Sequence, residues 1–269
     1  MDTTFDGFFA ENPVSHATRE TYAYVLRRFV EAIPHPETCT PTDIIRFFKV
    51  TKWGSSLQYT AATAIKKYLR WRYGATHPAL LLRVKRDPAK PGRTLKKETA
   101  EKLLDSFDLS KIKGKRDYAI ACLALDTGLR VNELATLKFA DINLADRTLS
   151  VLIKGGKWAD AVFSITTRSA IADWVLYRRL GDDRLFQVTR DGLRVIVRRW
   201  GEKLGMRLSP HDLRRSFATI STKRGAPSRL VQIAGRWESI EMVERYTQAL
   251  EPADFDEFFP VTYLQKGVK

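Results

Sequence analysis

The chain is poor in the residues that form disulfides and metal sites. Its 269 residues include two cysteines, Cys39 and Cys122, and four histidines. The cysteines are far apart, and no histidine has a second suitable ligand beside it. A disulfide framework and a multi-thiolate zinc site are therefore excluded, and no bound metal is expected. Cys122 lies in the apolar run YAIACLAL, which predicts a small core residue.

Long apolar runs are missing as well. No stretch approaches the roughly 18 consecutive apolar residues of a membrane-spanning helix, and the opening MDTTFDGFFAENP lacks the regions of a signal peptide. With 44% hydrophobic and 11% aromatic residues, the chain can still form a core in each of two domains. We expect a soluble cytoplasmic protein without a membrane partner.

Acidic residues are outnumbered by basic ones. Lys and Arg total 46 against 31 for Asp and Glu, which gives a formal net charge of +15. Such an excess favours a polyanionic partner, of which nucleic acid is the default. The segment RVKRDPAKPGRTLKK has a single acid, Asp87, among many cations. It is interpreted either as a solvated linker or, as we favour, as a basic strap that follows a phosphate backbone.

The periodicity of the chain changes after its first third. Residues 1–87 show helical patterns only, and amphipathic helices are predicted over residues 15–33, 40–50 and 55–73. A basic linker, residues 88–94, leads to a second domain over residues 95–269. There, helical patterns surround two β-rich runs, RTLSVLI and WADAVFSI, which meet at a glycine turn and predict a hairpin. The predicted fold class is mainly α with a small β-sheet (α+β).

Two segments of the second domain offer cationic side chains for a phosphate. In SPHDLRR, the Ser-Pro pair predicts a helix start, which puts His211 and Arg214 on one face beside the positive end of the helix dipole. In TGLRVNEL, a Thr-Gly turn delivers Arg130, and Glu133 follows three residues later, where an acid can orient a guanidinium or a histidine. Each motif is weak alone, since an ordinary helix start or glycine turn gives the same pattern.

Three more residues have unremarkable interpretations when each is taken singly. Lys154 lies at the predicted hairpin tip, where a lysine mostly faces solvent. In AGRWESIEMVERYTQAL, Trp237 follows a helix end and Tyr246 lies late in a short amphipathic helix, both typical of packing residues.

The order and spacing of these residues resemble the catalytic set of the tyrosine recombinases (phage integrase family). Lys154 follows Arg130 by 24 residues, Trp237 follows Arg214 by 23, and Tyr246 follows Trp237 by nine, similar to the Xer and Cre branches. The resemblance covers most of the chain. Where the family commonly has Leu-Gly-His, this chain has Ala-Gly-Arg-Trp; the Trp looks like Cre, and the Arg has no assigned role.

The resemblance implies strand exchange through a covalent 3′-phosphotyrosine intermediate, without metal, ATP or another cofactor. Tyr246 would be the nucleophile, and its phenolate is also a fair leaving group, which makes the bond reversible. Lys154 would act as general acid for the departing 5′-oxygen. Lys157 is the rival for that role.

The remaining residues of the set would serve the phosphate. Arg130 and Arg214 would neutralise the non-bridging oxygens with forked donors as charge develops. Trp237 would add an N–H donor, and His211 would donate to the phosphate or help to take the tyrosine proton. Glu133 would orient the site without touching DNA.

The resemblance also implies partners and an assembly. A helical core-binding domain (1–87) and a catalytic domain (95–269) would close as a C-shaped clamp on double-stranded DNA, in the cell's nucleoid. A monomer when free, the protein would form a homotetramer on two paired recombination sites. A C-terminal tail of about residues 250–269 packs either on its own domain or, as we favour, on the neighbouring protomer. The cations expected to contact DNA are Lys66, Lys67, Arg70, Arg83, Lys85, Arg86, Arg194 and Arg198.

Two alternatives to a recombinase stay open from the sequence. One is a relaxing enzyme of the type IB topoisomerase kind, which uses a similar site but needs no partner site. The other is a DNA-binding protein that has lost catalysis, although all the expected residue types are present.

Overall fold

The chain divides into two units, Met1–Ala89 and Lys90–Lys269. The structure is a computed structural model that describes residues 5–85, 87, 92–153 and 156–247, with the backbone alone for residues 245–247. The boundary falls inside the basic segment predicted as a linker. Most of that linker, residues 88–91, and the whole of the predicted tail lie outside the described residues.

The first unit is a small helical bundle, as predicted. The helices are α1 (Asp6–Glu11), α2 (His16–Ala32), α3 (Pro41–Thr51) and α4 (Ser55–Tyr73), followed by the 3-10 turn Pro78–Leu81. Ser15 and Thr40 are the N-caps of α2 and α3, and each side chain accepts a backbone N–H of its helix. Helix α1 was not predicted.

Aromatic and small residues share the core of the first unit. Phe29 on α2 has no exposed surface and lies against Phe47 of α3 with ring centroids 6.0 Å apart. On α4 the buried face includes Ala61 and Ala64, whose small side chains let α2 approach closely. Phe8 brings α1 into the same core. The core of this unit is therefore formed mainly by aromatic and aliphatic side chains.

The second unit contains helices and one small sheet. Its elements are α5 (Lys97–Asp105), α6 (Ile112–Thr127), α7 (Val131–Thr136), the 3-10 turn Phe139–Asp141, β1 (Ile142–Asn143), β2 (Thr148–Ile153), β3 (Lys157–Val162), α8 (Ile165–Val175), α9 (Arg190–Lys203), α10 (Pro210–Lys223), α11 (Ser228–Gly235) and α12 (Ile240–Thr247). The strands pair antiparallel in the order β1-β2-β3, with Val151 opposite Ala159. The hairpin and the α+β class are confirmed, whereas β1 and α8 were not predicted.

Helix α6 forms the centre of the second unit. Ile120 and Leu123 are fully buried, and both α8 and α10 pack against the helix. Cys122 is 5% exposed, so the prediction of a core residue is confirmed, and burial raises the pKa of its thiol to about 12. A second, smaller core joins α10, α11 and α12 around Phe217 and Val243.

Two features are absent from the described part of the chain. There, no helix is both long and apolar enough to cross a bilayer. Within those same residues, no three His, Cys, Asp or Glu side chains are grouped to hold a metal ion.

Candidate active site

The turn between α6 and α7 presents Arg130. Gly128 ends α6 at φ +58°, a left-handed conformation that glycine adopts without strain, and Arg130 is the residue before α7. Glu133 lies in the first turn of α7. Its Oε2 accepts the Arg130 backbone N–H at 2.9 Å and its Oε1 accepts Arg130 Nη1 at 2.7 Å. The Glu133 side chain is 4% exposed and that of Arg130 is 36% exposed. A buried carboxylate therefore orients a guanidinium that is partly open to solvent.

Arg214 connects two helix ends at the same place. Ser209 and Asp212 form a capping box at the start of α10, which puts Arg214 in the helix's second turn. The buried guanidinium donates from Nη1 to the Gly128 carbonyl and from Nη2 to the Gly235 carbonyl, the latter at 2.7 Å. Arg214 therefore ties the end of α6 to the end of α11, besides bringing charge to the site.

Trp237 packs directly on that guanidinium. The Arg214 guanidinium carbon lies 4.3 Å from the Trp237 ring centroid, a cation–π contact, and Phe217 stacks on the indole at 6.0 Å. Gly235 faces the same ring so closely that a β-carbon there would overlap it. Position 235 therefore needs glycine for close approach. The residue in the left-handed conformation is the next one, Arg236, at φ +56°.

His211 lies at the rim of the site. Its pKa is lowered from 6.5, first by partial loss of hydration and then by the charges of Arg215, Arg214 and Arg130, while Asp212 acts in the opposite direction. The side chain is still exposed, so it borders solvent on one side and cations on the other. A neutral imidazole is favoured here at neutral pH, and it can accept a proton.

The side chains of the predicted nucleophile, Tyr246, and of the predicted general acid, Lys154, lie outside the described part of the chain. Tyr246 is on α12, whose Val243 shares the small core with Trp237, but its side chain is outside the described part. Lys154 also falls outside the described residues. Lys157, its rival, begins β3 opposite Ile153 and is exposed.

Arg236 is the residue at this site to which the sequence assigned no role. Its side chain is 4% exposed and lies within 3.7 Å of Glu133. The signal available in the sequence was an arginine between Gly235 and Trp237, where the family resemblance offered no counterpart. Nothing in that signal distinguishes a buried arginine from a surface one.

The predicted DNA-contacting cations differ in how they are held. On the first unit, Lys67, Arg70, Arg83 and Lys85 are exposed, whereas Arg86 is outside the described residues. Lys66 is half-buried, and its Nζ donates to the Leu82 carbonyl at 3.1 Å.

On the second unit, basic side chains border a cleft beside His211. Arg194 bonds Asp191 at 2.8 Å, and Arg198 lies 3.5 Å from Glu202. The cleft has a volume of about 740 Å³, and its lining includes Arg194, Arg198 and His211.

Comparisons with known proteins agree with this architecture. The model of the phage integrase family matches residues 93–252. The tyrosine recombinase XerA of Pyrococcus furiosus is 30% identical over 87% of this chain and 84% of its own. XerC of Herpetosiphon aurantiacus is 28% identical over 88% of this chain and 86% of its own.

A solved structure gives the corresponding fold. The XerH site-specific recombinase, bound to a palindromic difH substrate in a post-cleavage complex, has a TM-score of 0.74 at 21% identity. The match covers 88% of this chain and 78% of that one. The two chains therefore share a fold.

The matched range contains the whole predicted catalytic set. The chain belongs to the phage integrase family, the tyrosine recombinases. Site-specific recombination, in which the enzyme cuts and rejoins DNA strands, is the activity that this membership supports.

Proposed function

We propose that the chain exchanges DNA strands through a covalent bond between Tyr246 and a 3′-phosphate. The observation that carries this is the convergence of Arg130, Arg214 and His211 at the helix ends next to the core that holds α12. A phosphodiester repels nucleophiles with its own charge, so cationic donors must offset the charge that develops on its oxygens. Arg130 and Arg214 supply that charge, and Trp237 adds an indole N–H.

The reaction needs two proton transfers, one from the attacking phenol and one to the departing 5′-oxygen. The Tyr246 phenol attacks, its proton passes to neutral His211 or to water, and the P–O bond to the 5′-oxygen breaks. Lys154 gives a proton to that departing 5′-oxygen; Lys157 is the second choice. The phosphotyrosine conserves the bond energy, so a 5′-hydroxyl of the partner strand reseals the DNA without ATP. Glu133 keeps Arg130 oriented throughout.

We further propose that both units contact one duplex as a clamp and that four protomers assemble on two duplexes. The predicted DNA-contacting cations that are exposed on the first unit and the basic cleft beside His211 support a DNA contact on each unit. Those cations are Lys67, Arg70, Arg83 and Lys85. The tail of residues 250–269 would join neighbours and couple assembly to cleavage. Sedimentation of the full chain, free and with its recombination site, should give a monomer and a tetramer on two duplexes; a monomer in both would contradict the assembly.

The central test is covalent capture of DNA. The full chain would be mixed with fragmented genomic DNA in EDTA, quenched with detergent, and the attached fragments sequenced, with Tyr246→Phe as the matched control. A Tyr246-dependent adduct at one inverted-repeat sequence is expected. Adducts scattered over all fragments would instead indicate a topoisomerase-like enzyme. Binding without any adduct would indicate a protein that has lost catalysis.

A further inference from the structure

Arg236 has a backbone conformation that its residue type disfavours. At φ +56° and ψ +45° it is the C-cap of α11 in the left-handed region, where a β-carbon is strained and glycine is the common solution. A strained residue persists where the surrounding structure over-determines it, and such residues cluster at functional sites. The question is therefore what the Arg236 side chain does there.

The Arg236 guanidinium is turned into the protein. Its Nη1 donates to the Ala234 carbonyl at 2.7 Å, and its Nη2 donates to the Thr127 carbonyl at 3.1 Å. The same Nη2 lies 3.7 Å from Oε2 of Glu133, and both of these side chains are 4% exposed. The Nε is buried and has no hydrogen-bond partner among the described residues. A buried cation with an unmatched donor is expensive to keep, so stability alone does not explain it.

These contacts place Arg236 beside Glu133, next to the carboxylate oxygen that does not accept the Arg130 guanidinium. Glu133 otherwise cancels the charge of the arginine that faces the phosphate. With Arg236 on its other oxygen, the same carboxylate is shared between two cations, and positive charge remains for the phosphate. The Thr127 contact also ties the turn that precedes α12 to the turn that presents Arg130. Arg214 bridges the same two turns through Gly128 and Gly235.

We propose that Arg236 is a positioning residue for recombination, which holds Glu133 and ties the α11–α12 turn to the turn that presents Arg130. This inference rests on the proposed function for its effect on cleavage. It does not rest on it for the link itself, which exists without DNA. The Arg236 guanidinium is directed at Glu133 and at the Ala234 and Thr127 carbonyls, so it acts through Glu133 and Arg130.

The first test separates DNA binding from cleavage. Arg236→Gly removes the guanidinium and suits the left-handed backbone. With the DNA fragment recovered by covalent capture, we expect its single-turnover adduct rate to fall at least about 10-fold, since small misplacements in active sites have such effects. The dissociation constant should stay within about twofold, because exposed cations dominate binding. Arg236→Lys keeps the positive charge but loses the paired N–H donors of the guanidinium. Its adduct rate should lie between those of Arg236→Gly and the unmodified chain.

The matched control is Lys52→Gly. Lys52 is also a left-handed C-cap, at φ +53°, but it is exposed and lies in the first unit. Relief of the same backbone strain there should leave the adduct rate unchanged. An adduct rate for Arg236→Gly within twofold of the unmodified chain would overturn the proposal, and so would a parallel loss of DNA binding and folding.

A measurement without DNA tests the contact between Arg236 and Glu133, even if no covalent adduct is captured. Thermal unfolding would be followed for Arg236→Gly, Glu133→Gln and the double variant. With Gln at position 133, Arg236 is a buried cation without its anion. The change in Tm caused by Arg236→Gly should therefore be more favourable in the Glu133→Gln background than in the unmodified chain, by at least about 2 °C. Additive shifts would refute the link. Absence of any adduct from the unmodified chain, with a coupled cycle, would instead count against the proposed function alone.

Discussion

The two units of this protein differ in the charged side chains that they bury. The first unit buries aromatic and small apolar side chains, and its principal buried polar group, His77, is satisfied by the Pro36 carbonyl and the Ala79 N–H. The second unit buries Glu133, Arg214 and Arg236 around the turn that presents Arg130, each bonded to another charge or to a backbone carbonyl. Because buried charge rarely adds stability, its concentration around this turn indicates function rather than folding.

The difference predicts where a substitution costs folding and where it costs chemistry. A change in the first unit's core should lower the stability of that unit and leave the catalytic groups in place. A change among the buried charges should affect strand cleavage more than folding. The predictions below test that division, starting with the largest expected effect.

Phe29→Ala should destabilise the first unit by about 3–5 kcal/mol, the usual cost of deleting a fully buried phenylalanine. Amide hydrogen exchange, read separately on peptides from α2 and α6, measures the effect in each unit. Exchange in α2 should accelerate strongly while exchange in α6 stays unchanged. Arg28→Ala, on the exposed face of the same helix, is the control and should stay within about 0.5 kcal/mol. Equal acceleration in both peptides would show that the units do not unfold independently.

Gly235→Ala should cost about 1–3 kcal/mol, because the new methyl group must displace the Trp237 ring. Trp237 covers Arg214, so the rate of covalent adduct formation should fall as well. Urea denaturation and the capture assay measure the two effects. Gly54→Ala is the matched control, since a β-carbon there meets nothing within 4 Å and the residue is only the N-cap of α4. Similar losses for both variants would contradict the close-approach argument.

Much of this contrast could be predicted from the sequence, and the rest depended on contacts distant along the chain. The stripes of α2 and α4 are long enough to reveal their buried faces, whereas α1 has only six residues and β1 only two, too few for a period to show. The candidate residues themselves came from motif order. The burial of Arg214 did not, because it depends on carbonyls 86 and 21 positions away.

The same limit applies to Arg236. A local pattern shows an arginine after a glycine and nothing more. Its left-handed backbone and its contact with Thr127, 109 positions away, follow from how α6 and α11 meet. The order of motifs in a sequence therefore predicts the residues that contact a substrate more readily than the residues that position them.

Neighbouring lysines on α4 offer a smaller and sharper test of the first unit. Lys67 is exposed, while Lys66 donates to the Leu82 carbonyl. Lys67→Ala should reduce the slope of log K against log salt for duplex DNA by about 0.9, the effect of one lost phosphate contact, with little change in stability. Lys66→Ala should do the reverse, with a loss of about 1 kcal/mol and an unchanged slope. Fluorescence anisotropy at several salt concentrations, together with urea denaturation, measures both; a slope change for Lys66→Ala alone would reverse the assignment.

His211 gives the smallest expected effect, and it tests whether the environment of the site lowers the pKa of this histidine before DNA arrives. Its pKa is lower in the folded protein than the ordinary 6.5, through partial loss of hydration and the repulsion of Arg215, Arg214 and Arg130. The unfolded chain therefore takes up the proton first as the pH falls. The stabilising contribution is complete above 6.5 and is lost progressively as the pH drops from there towards the folded pKa. His211→Asn should flatten the decline of Tm across that window. An identical decline in His211→Asn would mean that burial and the neighbouring guanidinium groups do not lower the pKa of this histidine.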